Sequence, residues 1–508
     1  MSLAAGLDVG TSGTKAVAID ASGKVVAKAL AEYPLHSPKP GWAEQNPSDW
    51  KRAAFEALSQ LAHAPGVKAS DIKGLGLTGQ MHGSVFLDAS SQVLRPAILW
   101  CDQRTAKQCD DITSKVGAEK LIEMVCNPAL TGFTAPKILW LRDNEPATYE
   151  KVRKVLLPKD YIRFVLTGEF ATDVADASGT LLFDVKRRTW HDELMSLLEV
   201  PRDFMPRAFE GPEVTGKLSE EAAAKTGLPK GIPVVAGGGD QAAGGVGCGI
   251  VRRGVISSTV GTSGVVFAFS DKVSLDPQGR VHTFCHSVPG KWHVMGVMLS
   301  AGGSLRWFRD ALCQNEKAVA AETGADPYEY ITAAAAHIPI GAEGLTFLPY
   351  LTGERTPHKD PHAKGAFVGL SLRHTRAHMA RAILEGVAFG MRDSLDIIRE
   401  MGVAIEQVRA SGGGARSFLW RQIQADVNKA PLVMINVDEG PAYGAALLAT
   451  VATGMFTSIE EACDATIRVV DSCTPDAERS RQYDAWFAEY QAAYRALAPG
   501  FRRVTALL

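Results

Sequence analysis

The chain has 508 residues, 46% of them hydrophobic and 22% charged, with a formal net charge of −2. That length exceeds one ordinary core and predicts at least two domains, while the composition excludes a disordered chain and the near-neutral charge excludes a basic surface for nucleic acid or an anionic membrane. Eight scattered cysteines without a CxxC pair argue for a reducing, cytoplasmic setting over a zinc, redox or disulfide framework, no apolar run reaches the ~18 residues of a membrane span, and a strand beginning almost at Met1 leaves no room for a signal segment.

Residues 3–9 are apolar and read as a strand, Gly10-Thr11-Ser12-Gly13 turns the chain, and residues 15–20 alternate apolar and polar. A second turn, Ala21-Ser22-Gly23-Lys24, leads to a third strand over 25–30. Asn46 as a cap and Pro47 at the first helical position open a helix reaching Leu61. Short strands over 72–77 and 84–87 flank Gly79-Gln80-Met81-His82-Gly83, and a strand over 233–236 runs into Gly237-Gly238-Gly239-Asp240-Gln241. At mid-chain, residues 256–260, Gly261-Thr262-Ser263-Gly264 and residues 265–269 repeat the opening strand–turn–strand. The repeat predicts an internal duplication, a boundary near residue 250 with Gly247-Cys248-Gly249 as a hinge, and domains over 1–249 and 250–508. Helices are expected over 378–389, 418–427 and 477–497. The last places Tyr483, Trp486, Phe487, Tyr490 and Tyr494 at helical spacing, a stripe expected to bury against the second domain.

Five constellations could carry chemistry. In Asp8-Val9-Gly10-Thr11-Ser12-Gly13, a Gly-rich turn offers backbone N–H groups and the Thr11 and Ser12 hydroxyls to phosphate oxygens, and Asp8 could hold a hydrated Mg²⁺; an ordinary hairpin with a surface Asp has the same composition. The spacing is not that of a Walker A loop. The second copy supplies the same donors but carries Thr259 where the first has Asp8, so one half alone supplies the acid. Asp240, after three glycines, could accept a proton from an attacking hydroxyl or could merely cap the following helix. Met81 and His82 sit in a loop suited to a small neutral polyol, although a lone His is more often structural. Ser411-Gly412-Gly413-Gly414 precedes a helix and could carry a flat nucleoside on bare backbone, a weak signal in isolation.

Together these residues resemble the FGGY family of carbohydrate kinases over nearly the whole chain. The resemblance includes the segments Gly132-Phe133-Thr134-Ala135-Pro136-Lys137-Ile138-Leu139-Trp140 and 365–385. It implies an α/β, two-domain actin/hexokinase/Hsp70-like (ribonuclease H-like) fold with an interdomain catalytic cleft. Gly79-Gln80-Met81-His82-Gly83, Leu157-Pro158-Lys159-Asp160-Tyr161, 237–240 and Gly353-Glu354-Arg355-Thr356-Pro357-His358 match its D-xylulose-phosphorylating members; glycerol-phosphorylating members carry Arg-Glu in place of Met81-His82. The implied reaction is ATP-dependent, Mg²⁺-assisted transfer to the 5-hydroxyl of D-xylulose. Residue by residue, the resemblance makes Asp240 the catalytic base with Gln241 beside it, Met81 and His82 the ketose-binding pair, and Asp8 the residue that positions metal. Thr11, Ser12 and Thr262 become phosphate-loop residues, Gly302 a phosphate-side contact, and Gly413 and Gly414 the adenosine motif. Gly303 and Arg306 depart from the family form, and Trp100, Asp102 and Arg104 fit structural roles equally well. The expected partners are a sugar and ATP, with no nucleic acid or membrane, and with a homodimer left open. Kinases for ribulose, a pentitol or glycerol, a non-enzymatic ATPase of the same fold and an inactive sugar sensor are the competing readings.

Overall fold

The computed structural model describes residues 2–507. The chain opens with strands β1 (Leu3–Val9), β2 (Gly13–Asp20) and β3 (Val25–Glu32), then helix α1 (Pro47–Ala62) and strand β4 (Ile72–Gly79). α1 starts where capping chemistry dictates: the Asn46 side chain accepts a hydrogen bond from the Ser48 N–H and Pro47 occupies the first turn. After helices α2 (Thr134–Asn144), α3 (Pro158–Thr167) and α4 (Val174–Ser178), the first half closes with β5 (Val214–Lys217), β6 (Pro233–Val235), β7 (Gly238–Gly239) and α5 (Asp240–Gly247). The second half contributes β8 (Gly254–Val260), β9 (Gly264–Ser270), β10 (His282–Cys285), β11 (Trp292–Met298), α6 (Gly302–Leu312) and α7 (Arg376–Glu400). It ends with β12 (Ile405–Ser411), α8 (Phe418–Asn428), β13 (Leu432–Ile435), α9 (Gly440–Ala452), β14 (Val469–Cys473) and α10 (Ala477–Thr505).

The duplication extends to whole sheets. The first runs β5-β6-β4-β1-β2-β3, with β7 also pairing with β4; the second runs β10-β11-β9-β8-β12-β13-β14. In each, the strand before the GTSG turn pairs antiparallel with the strand after it and parallel with a later strand: β1 with β2 and β4, β8 with β9 and β12. Asp8 thereby lies opposite Thr78 and Thr259 opposite Ser411, so the two halves correspond residue for residue.

Alternation along β1 buries both faces. Leu3, Ala5, Leu7 and Val9 join the core under α1, whereas Ala4 joins the one under α9. Two glycines admit α9: a Cβ on Gly6 would lie 1.9 Å from the Ala442 carbonyl oxygen, and one on Gly76 1.8 Å from that of Ala445. α9 also crosses α5 at glycines, since a Cβ on Gly444 would lie 1.8 Å from the Ala243 carbonyl oxygen. A helix from late in the chain is thus fitted directly onto the first sheet.

The aromatic stripe of α10 behaves as expected: Tyr483, Phe487, Tyr490 and Tyr494 are buried in the second core and Trp486 packs against it. The helix outruns its expected end at residue 497 and continues to Thr505 with Pro499 inside. Pro499 withholds one amide from the helix, but Arg495, four residues earlier, is exposed, so its carbonyl can turn to water.

Candidate active site

Each GTSG turn is closed by the N–H of its first glycine, in the first by Gly10 N–H donating to Gly13 O (3.1 Å) and in the second, one residue tighter, by Gly261 N–H donating to Ser263 O (2.9 Å). Thr11 is held from the side, its hydroxyl accepting from Trp100 Nε1 at 3.1 Å, and Ser12 is exposed. Asp8 shares the inward face with α5. Its Oδ1 is buried without a hydrogen-bond partner, and its pKa is raised to about 7, by burial first and then by the charge of Asp240, against the pull of Lys15. Asp240 is the first residue of α5, with Gly239 as the cap, so its carboxylate is free of the capping role. Burial raises its pKa to about 6, opposed by hydrogen bonds from the Gln241 backbone and side chain. Thr259, in the position corresponding to Asp8, instead bonds Ser411 Oγ at 2.8 Å.

Beside Asp240 the backbone is stripped of side chains to admit its neighbours. A Cβ on Gly239 would lie 2.6 Å from Met81 Cγ, and one on Gly179 2.4 Å from His82 Cε1. His82 sits at φ 68°, in the left-handed region, and its Nδ1 lies 2.7 Å from Gly179 O. Burial, with Lys137 nearby, holds its pKa well below the usual value. The neutral ring therefore donates from Nδ1 and keeps Nε2 as an acceptor for a hydroxyl. Phe133 and Phe284 flank it at centroid distances of 4.9 and 6.3 Å. The His82 carbonyl is pinned by Thr134 Oγ1 (3.0 Å) and by Lys137 Nζ (3.0 Å), which also reaches Gly132 O. Asp102 and Arg104 form a buried pair at 2.7 Å, with Glu44 bridging to Arg104, a structural arrangement.

On the second half, Thr262, Gly302, Gly413 and Gly414 come together around one cavity of about 460 Å³. The start of α6 docks on the second GTSG turn, with Gly302 N–H donating to Gly261 O (2.8 Å) and Gly303 N–H to Thr262 O (3.0 Å). Arg306, Tyr328, Arg416 and Trp420 complete the wall. Gly-rich loops, a helix start and two guanidinium groups suit a polyphosphate and a flat base. Sequence reasoning missed Tyr328 and Trp420 as site residues and read Arg306 only as a departure from the family form. Tyr328 and Trp420 lie on two separate helices that only the fold brings to one wall, so no local signal distinguishes them. Asp8, Thr11, Ser12, Met81, His82, Asp240 and Gln241 do not line this cavity; they cluster on the first half.

Two duplicated sheets, a paired carboxylate site on one and a glycine-walled cavity on the other define a phosphotransferase-type architecture, and the chain belongs to the FGGY family of carbohydrate kinases. The family's N-terminal domain matches residues 3–247 and its C-terminal domain residues 256–453. A xylulose kinase of Escherichia coli K12 is 42% identical over 97% of this chain and 99% of its own length, and one of Bacillus subtilis strain 168 is 40% identical over 96% of each. A crystal structure of a xylulose kinase from Rhodospirillum rubrum superposes with a TM-score of 0.91 at 33% identity, covering 98% of this chain and all of the other.

Proposed function

We propose that this protein transfers the γ-phosphoryl group of ATP to the 5-hydroxyl of D-xylulose, giving D-xylulose 5-phosphate and ADP. The observation that carries the reading is the juxtaposition of Asp240, Asp8 and a neutral His82 on one half, against a glycine-walled cavity with two arginines on the other. The likeness to xylulose kinases supports the choice of sugar.

With a pKa of about 6, Asp240 is mostly ionised at neutral pH yet basic enough to take a proton. It accepts the proton of the sugar's 5-hydroxyl as that oxygen attacks the γ-phosphorus, and the bond to the β–γ bridging oxygen breaks to release ADP. His82 Nε2 and Met81 orient the ketose, and Gln241 steadies the base through its hydrogen bonds. Thr262 and the Arg306 and Arg416 guanidinium groups receive the phosphates beside Gly302, while Gly413 and Gly414 carry the nucleoside. Asp8 fits a hydrated Mg²⁺, because its buried, unpartnered Oδ1 repelled by Asp240 calls for a cation. Bound there, the ion would supply positive charge to the phosphates. Eight free cysteines favour a cytoplasmic setting, and no described helix is long and apolar enough to cross a membrane.

The test is ADP release with D-xylulose, D-ribulose, a pentitol and glycerol side by side. D-Xylulose should give the highest kcat/KM. A higher value for another sugar would reassign the substrate, and equal ADP release with and without every sugar would sink the kinase reading.

A further inference from the structure

Behind the candidate site lies a buried ion cluster that none of the assigned residues enters. Lys159 Nζ, in the first turn of α3, lies 2.6 Å from Asp160 Oδ1, 2.6 Å from Asp173 Oδ2 and 3.0 Å from Asp176 Oδ2, all four side chains being at most 1% exposed. Arg163, one turn further, is fully buried and lies 3.6 Å from Asp160. Its Nη1 donates to Thr215 Oγ1 (2.5 Å) and Val235 O (2.7 Å), and its Nη2 to Ala236 O (2.5 Å). Burial alone would strip Lys159 of its proton, but the three carboxylates outweigh it and keep the ammonium charged.

Burying two cations among three carboxyl groups is costly, and burial together with Asp173 and Asp160 holds the Asp176 carboxyl well above the usual carboxylate range; such a cluster is poor evidence for stability as such, and what it supplies is fixed geometry. Two outputs leave it. Ala236, held by Arg163, directly precedes Gly237, where the chain turns at φ +76°, pressed so closely on β4 that a Cβ would lie 1.7 Å from Leu77 O. That turn delivers Asp240. Asp173, held by Lys159 through Oδ2, caps α4 through Oδ1, which accepts from Ala175 and Asp176 N–H. α4 ends at Ser178, and the next carbonyl, Gly179, fixes His82.

We propose that Lys159 and Arg163 are positioning residues for the reaction: Arg163, through Val235 and Ala236, sets the turn that presents Asp240, and Lys159, through Asp173 and α4, sets the carbonyl that orients His82. One buried cluster thus aligns the base and the sugar-binding imidazole. The inference rests on the kinase reading above.

Arg163→Lys keeps the charge but loses the planar fork that spans two carbonyls. Assayed with whichever sugar the wild type phosphorylates, so that a wrong sugar assignment leaves the test intact, it should lower kcat at least 30-fold. Its melting temperature should fall, because buried carbonyls lose a partner, so kcat is taken per folded molecule at a temperature where the variant is fully folded, and ATP affinity should stay within twofold. Asp173→Asn keeps the capping oxygen and removes the charge facing Lys159; it should raise the sugar KM at least fivefold with a smaller change in kcat. Wild-type kcat in folded Arg163→Lys, or a loss explained by the unfolded fraction, overturns the Arg163 branch. Wild-type KM in Asp173→Asn overturns the α4 branch. Should Arg163→Lys fail to fold, Thr215→Val, which removes one acceptor from the same guanidinium, takes its place with the same kcat criterion.

Discussion

At the scale of single residues, the site turns on carboxylates whose surroundings make them more basic than in water. Asp240→Asn keeps the shape and removes the proton acceptor, so kcat should fall by about 10²–10⁴-fold while ATP binding measured at equilibrium stays near wild type. Normal turnover by this variant would exclude Asp240 as the base. The direction of the pKa shift fixes a pH dependence as well. An ordinary aspartate would stay ionised down to about pH 4. Asp240, raised to about 6 by burial, takes up its proton earlier, so kcat/KM should decline as pH falls through 6. A rate–pH profile flat between 7 and 5 would contradict this.

At the scale of elements, glycines decide which pieces can touch. Gly76 faces α9 with no space for a side chain, so Gly76→Ala must push helix from sheet and should cost about 1–3 kcal/mol or more, read as a lowered denaturation midpoint. An unchanged midpoint would show that α9 yields freely. The same elements show what the sequence could and could not reveal. The GTSG turns, the Asn46 cap and the triple glycine before Asp240 are written in local residue types, and the strands and helix start around them fall where those types require. The fitting of α9 onto β1 and β4 joins residues more than 350 apart and leaves only isolated glycines such as Gly6 as a trace. The cluster around Lys159 was legible as a family motif but not as a network, because Asp173, Asp176 and Arg163 meet it only in the fold. Tyr328 and Trp420 likewise reach the cavity through the packing of separate helices.

At the scale of the whole molecule, the two halves share an apolar core in which Phe284, Cys285 and Met295 of the second meet Phe133 and Ala177 of the first. Beside it lie His282, His286 and His293, with Phe267 stacked on His293 at 4.3 Å. Burial pushes His282 and His286 down to about 3 and His293 well below its usual value. The unfolded chain binds protons on these rings below about pH 6.5 while the folded chain cannot, so their contribution is complete above 6.5 and is lost as pH falls toward 3. By pH 5 His282 and His286 should each cost about 2 kcal/mol, with His293 acting in the same direction, and urea midpoints at pH 7.5 and 5 should differ accordingly. His293→Phe should make that dependence shallower while His282 and His286 keep the rest of it; an unaltered slope would clear His293 of any part in it. The fitting of α9 against the first sheet also has a consequence for synthesis. β1 and β4 leave the ribosome hundreds of residues before the helix that covers them, so at about 5–20 residues/s their inner face waits on the order of tens of seconds for its cover. Through that interval the nascent chain carries a bare sheet surface, and ribosome stalling between residues 250 and 440 is where misassembly should concentrate.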